Sequence, residues 1–167
     1  MIIRSHQDDR ARSTAVYSEC GAYRYALTRE WGKGARLLFV MLNPSTADER
    51  RNDPTIERCE RRARAMGCGA MRIANIFAFR ATDPRVLTSA PAPVGPANDA
   101  VLAGAADWAD DVLCAWGVHG THLGRGAEVE AMLRQDNHRL WHLGLTRAGM
   151  PRHPLYIGYA ILPCRWY

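Results

Sequence analysis

Four apolar runs of strand length, residues 36–42, 71–77, 111–116 and 139–145, are separated by stretches with the period of an amphipathic helix, and this alternation narrows the possible folds most. The runs are apolar on consecutive rather than alternate residues, as in strands covered on both faces. Strand followed by helix followed by strand implies right-handed crossovers and parallel neighbours. The expected fold is therefore α/β, a three-layer α/β/α sandwich with a central parallel sheet of about four strands. The first helix is expected over 54–66, where Asp53-Pro54 supplies a cap and a first-turn proline, and Ile56, Cys59, Ala63 and Met66 share one face. Its other face carries Arg58, Arg61, Arg62 and Arg64 and reads as a solvated surface or as a track for phosphates. Further helices are expected over 96–108 and 126–135. Ahead of all this, residues 14–31 hold two short β-prone runs around Cys20-Gly21, an N-terminal β-hairpin at the margin of the sheet.

At 167 residues, 47% of them hydrophobic, the chain has the size and composition of one domain with a sizeable core, spanning 1–167. No run approaches the roughly 18 apolar residues of a membrane span, and the N-terminus turns charged after three residues, so a cytoplasmic protein without membrane partners is expected. The five cysteines form no CxxC pair, which argues against a disulfide framework and against a zinc or iron–sulfur site; they read as reduced thiols, mostly in the core. His119 and His122 have the spacing of metal ligands but no evident third partner, so no metal and no cofactor is expected. A net charge of +5 suits a polyanionic partner such as nucleic acid.

In an open parallel sheet, ligands bind beyond the carboxyl ends of the strands. Here those ends are polar. The first strand stops at Asn43-Pro44-Ser45-Thr46; the second carries Asn75 and leads to Phe77, Phe79 and Arg80; the third ends in Trp116-Gly117-Val118-His119; the fourth leads to His153-Pro154-Leu155-Tyr156. Asn43-Pro44 serves either to stop a strand or to wall a site. A carboxamide inside an apolar strand must be paired to be buried, so Asn75 either caps a loop or reads a ligand. His153 either caps a turn or faces a ligand.

The strings MLNPSTAD, NDPT, ANIFAFRATDP, AWG and GMPRHPLY resemble the domain-of-unknown-function 1643 family from about residue 22 to 160. A more remote resemblance links the chain to the uracil-DNA glycosylase superfamily, whose four-stranded parallel sheet carries an Asn-Pro or Asp-Pro motif, a base-reading Asn, a Leu-Trp-Gly and a His-Pro-Ser-Pro-Leu loop in that order. The matching pieces are Asn43-Pro44, Asn75, Ala115-Trp116-Gly117 and His153-Pro154-Leu155. Met41 replaces the first motif's glycine, Ser-Pro is absent after His153-Pro154, and Ser45-Thr46 stand where glycosylases carry other pairs.

The resemblance implies hydrolysis of an N-glycosidic bond to a modified or damaged pyrimidine in nucleic acid. Asn43 would position water and His153 would stabilise the departing base, making these the catalytic candidates. Asn75 would read the base edge and Phe77 or Phe79 would stack on it, with Pro44, Ser45, Thr46, Arg80, Trp116 and Leu155 around the substrate. Two other readings stand beside this one. One is a non-catalytic module for a free nucleobase or nucleotide; the other is an enzyme for a different phosphate-bearing ligand, held by Ser45, Thr46 and the helix after Asp53-Pro54.

Overall fold

The structure is a computed structural model that describes residues 1–167. Its strands are β1 (Ile2–Gln7), β2 (Arg12–Tyr17), β3 (Arg24–Glu30), β4 (Arg36–Met41), β5 (Ala70–Asn75), β6 (Asp111–Cys114), β7 (Leu140–His142) and β8 (Cys164–Arg165). Four helices complete it: α1 (Pro54–Ala65), α2 (Pro84–Ser89), α3 (Asn98–Trp108) and α4 (Arg125–Gln135). The fold is α/β, and all eight strands join one mixed sheet in the order β1-β2-β3-β5-β4-β6-β7-β8. No helix is long and apolar enough to cross a membrane.

The expected sheet is corrected in size and in direction. Four of its seven ladders are antiparallel: β1 with β2, β2 with β3, β3 with β5, and β7 with β8. The three parallel ladders join β5, β4, β6 and β7, the strands that correspond to the four apolar runs. Three of the antiparallel ladders join strands with no α-helix between them, and β3 runs against β5 because the chain turns directly from β3 into β4 before α1 carries it across to β5. The hairpin of β2 and β3 is present, but it is extended by β1 and hydrogen-bonded directly to β5. α2 and β8 also lie outside the elements expected from the sequence.

β4 shows why consecutive apolar residues mark a central strand. Leu37, Phe39 and Met41 enter one hydrophobic cluster with Ile56, Cys59 and Ala63 of α1, whereas Leu38 and Val40 enter a second cluster with residues of α3 and α4. Alternate side chains leave a strand on opposite faces, so both faces are covered. Met66, expected on the buried face of α1, lies at its C-cap and is exposed. Of the five free cysteines only Cys59 and Cys114 are buried; Cys20 and Cys164 are exposed.

The arginine face of α1 divides: Arg61 and Arg64 are exposed and pair with Glu57 and Glu60 of the same helix, whereas Arg58 and Arg62 turn to the 154–161 loop. Arg58 donates to the carbonyls of Pro154 at 3.3 Å and Ile157 at 2.7 Å, and Arg62, itself buried, donates to those of Gly158 and Ile161. Both guanidinium groups lie over the ring of Tyr159. Segment 154–161 contributes no strand, so its carbonyls need partners from outside the ladders, and α1 supplies them. Through these bonds the helix fixes the loop that carries His153.

Candidate functional site

A cleft of about 570 Å³ opens at the carboxyl ends of the parallel strands. Asn43, Ser45 and Thr46 line it after β4, Ala81 and Thr82 after β5, Trp116, Gly117, Val118 and His119 after β6, and His153, Leu155 and Tyr156 after β7. The first turn of α1, with Asp53, Pro54, Thr55 and Ile56, and Arg24 of β3 complete the wall.

Of the residues singled out from the sequence, Asn43, Ser45, Thr46, Trp116, His153 and Leu155 meet in this cleft. Asn43 also pins the turn: its Nδ2 donates to the carbonyls of Pro44 (3.0 Å), Phe79 (3.4 Å) and Ala81 (2.7 Å). The donor half of the amide is thus occupied and Oδ1 accepts no bond from the protein. Ser45 and Thr82 hydroxyls are 3.1 Å apart, closing one rim. Trp116, 1% exposed, is chiefly an anchor, with Nε1 donating to Met150 Sδ at 3.3 Å.

His153 caps a turn and also lines the cleft. Its Nδ1 accepts the backbone N–H of Leu155 at 3.4 Å, capping the short 3-10 turn Pro154–Tyr156. In the neutral ring an accepting Nδ1 places the proton on Nε2, so the side chain presents a donor. Burial pulls its pKa below the usual 6.5, against the attraction of Asp53, which keeps the imidazole neutral near pH 7. Gly117 lets the loop come this close. It holds φ +74°, and a Cβ there would sit 3.2 Å from His153 Cβ.

The remaining candidates lie outside the lining. Asn75 is 2% exposed on β5, beside Met41 in the parallel ladder. Met41 does line the cleft, and Asn75 Nδ2 is sealed without a hydrogen-bond partner. Phe77 is buried against His122, Phe79 packs edge-on to Tyr23 of the hairpin, and Arg80 lies over Tyr17 and donates to Gly21 O. Phe77 and Phe79 pack on protein, and Arg80, though exposed, stands outside this lining with the other two. Pro44 is buried and its carbonyl accepts from Ala81 N–H at 3.0 Å. His119 lines the cleft, whereas His122 turns to Phe77.

Asp53 and Arg24 were not singled out as site residues from the sequence. Asp53 is the N-cap of α1: Oδ1 accepts Ile56 N–H at 2.9 Å and Oδ2 accepts Ala47 N–H at 3.3 Å, so one carboxylate ties the 43–47 turn to the helix. Asp53→Ala should cost about 1–2 kcal/mol of stability, read as a lower urea midpoint with an unchanged m value. Arg24 sits in β3 at 2% exposure and donates through Nη1 to Ala47 O. Burial brings its pKa down to about 10, with the charge of Asp53 acting the other way. The sequence signal was an arginine inside the β-prone AYRYAL, a charged residue at an inward strand position.

Residues 24–155 match the DUF1643 family, described as a protein of unknown function. The chain belongs to the DUF1643 family. No curated protein and no solved structure matches it. The part shared with the family runs from Arg24 to Leu155 and so contains every residue lining the cleft except Tyr156, while β1, β2 and β8 fall outside it.

Proposed function

We propose that the cleft binds a nucleobase-bearing ligand and that this DUF1643 protein is uracil-DNA-glycosylase-like, cleaving an N-glycosidic bond to a modified or damaged pyrimidine. One observation carries the reading: the Asn-Pro turn, the Trp-Gly strand end and the His-Pro-Leu loop, 110 positions apart from Asn43 to His153, line a single cleft at the carboxyl edge of adjacent parallel strands. The fourth piece, Asn75, stands next to Met41 of the cleft wall with an unpartnered amide nitrogen. Hydrophobic clusters on both faces of β4 are consistent with the sandwich that such a protein would have.

In the proposed reaction the C–N bond breaks with its electron pair passing to the base. The Nε2–H of His153 donates to the base oxygen on which negative charge grows. Asn43 Oδ1 orients a water whose oxygen bonds to the sugar carbon and whose proton ends on the base. An amide cannot take up that proton as a carboxylate would, so bond breaking runs ahead of water attack.

Calorimetric titration with free pyrimidine bases and assay of base release from uracil-containing DNA test the two halves of the reading. Asn75 is sealed behind the cleft wall, so the proposed base edge reaches its amide only when the neighbouring Met41 side chain gives way; Asn75→Ala should then weaken base binding by about tenfold, the equivalent of one or two hydrogen bonds, with the melting temperature held. Loss of folding together with binding would mark Asn75 as a structural residue. Failure of the unaltered protein to bind any base would remove the proposal.

A further inference from the structure

Four arginines are buried: Arg24, Arg29, Arg62 and Arg125. Three of them have their donors well occupied. Arg125 reaches Ile76 O, Asp99 and Glu128; Arg29 reaches Asp48 O, Asn52 Oδ1 and Thr28 O; Arg62 reaches two carbonyls and lies over Tyr159. Arg24 has one acceptor, Ala47 O, and no carboxylate within ion-pair distance.

A buried guanidinium is costly unless its charge is matched and its N–H groups are paired. The sealed, unpartnered side-chain atoms of the protein are Asn75 Nδ2, Asn98 Oδ1 and His138 Nε2, with none from Arg24. The remaining N–H groups of Arg24 therefore open onto the cleft that it lines. The same cleft is lined by the first turn of α1, where Thr55 N–H makes no backbone bond and the helix presents its positive end. The carboxylate in the same wall, Asp53, has each oxygen turned to a backbone N–H.

We infer that the cleft contains an anion subsite, built from the Arg24 guanidinium fork and the Thr55 end of α1, that takes a phosphate group of the ligand. A planar fork matches two oxygens of a phosphate, and the helix end matches a third. The choice of phosphate rests on the nucleobase reading, because phosphate is the anion that a nucleotide carries. The cleft volume lies within the range of sites for molecules of that size.

The test titrates the full chain with uridine, uridine 5′-monophosphate, ribose 5-phosphate and a short single strand of thymidines. Arg24→Met and Arg24→Lys are titrated alongside. The monophosphate should bind the unaltered protein roughly ten- to a hundredfold more tightly than uridine. Arg24→Met should erase that preference, so that the variant binds the monophosphate no more tightly than it binds uridine, and Arg24→Lys should keep part of it, since lysine retains charge without the fork. A strand preferred over the monophosphate in an Arg24-dependent way supports the subsite and assigns it to a phosphodiester; the reverse order assigns it to a monoester.

Equal affinity for uridine and its monophosphate overturns the subsite and leaves the nucleobase reading standing. Arg24-dependent binding of ribose 5-phosphate with no gain from the base supports the subsite and overturns that reading instead. Should Arg24→Met melt early, the preference of the unaltered protein and the response of Arg24→Lys decide.

Discussion

Placing alanine at Gly120 is expected to cost about 3 kcal/mol of folding stability, the upper end for overpacking a filled core. The added Cβ would overlap Cδ1 of Trp116 and lie 2.7 Å from its Nε1 and 3.1 Å from its Cγ. The indole has nowhere to retreat. It is 1% exposed, bonded to Met150 Sδ, tilted against Trp166 at 5.7 Å between centroids, and backed by Gly126, where a Cβ would stand 2.8 Å from Nε1. For a chain of this size each kcal/mol shifts the melting temperature by roughly 2–4 °C, so a fall of about 10 °C is expected in thermal unfolding followed by circular dichroism. A melting temperature within a degree or two of the parent would show that Trp116 moves aside freely. Because the next residue, Gly117, touches the His153 loop, a variant that does fold should also bind ligand more weakly.

This tight corner illustrates what the sequence could and could not convey. Runs such as that of β4 are legible because a strand covered on both faces must be apolar throughout, and α1 is legible because Asp53-Pro54 announces its start. β1 lacks such a signal. Nearly all of it is exposed, and its only ladder is with β2, so no burial pattern is imposed on its residues. Strand direction was inferred from alternation with helices, a rule that speaks only for strands joined by crossovers; the chain passes from β3 to β4 with no helix, so β3 lies antiparallel to β5, the parallel neighbour of β4.

At the site, the polar strand ends lead to Asn43 and His153, which line the cleft. Phe77, Phe79 and Arg80 lie outside the lining, and their surroundings depend on how the hairpin and the 118–124 segment dock onto the β5 exit. Arg24 was missed for the same reason. Whether a strand arginine faces solvent or a cleft is decided by neighbours remote in the sequence. Arg58 and Arg62 of α1 show the converse, charges read as surface that instead hold the carbonyls of a strandless loop.

Removing the proposed donor at residue 153 should slow base release by about a hundredfold or more, since a preorganised donor to developing negative charge typically contributes that much. His153→Ala confounds two losses, because the ring both presents Nε2–H and caps Leu155 N–H through Nδ1. His153→Asn separates them. An asparagine oxygen can take over the cap, as asparagine does at helix starts, but its shorter side chain leaves no donor at the Nε2 position. The asparagine variant should therefore melt close to the parent and still lose the hundredfold, while base binding falls by much less. Acid should act on the same group. Burial depresses the folded pKa of His153 below 6.5, so the unfolded chain takes up its proton first: the stability contributed by this residue is complete above pH 6.5 and is lost as pH falls toward the folded value. Protonation of Nδ1 would set two donors face to face at Leu155 and release the turn. A profile of kcat/KM against pH should be flat from 7 to 8 and decline with a midpoint below 6.5; a midpoint above it would exclude neutral His153 as the donor. Base binding without base release from any modified pyrimidine would instead assign the cleft to recognition alone.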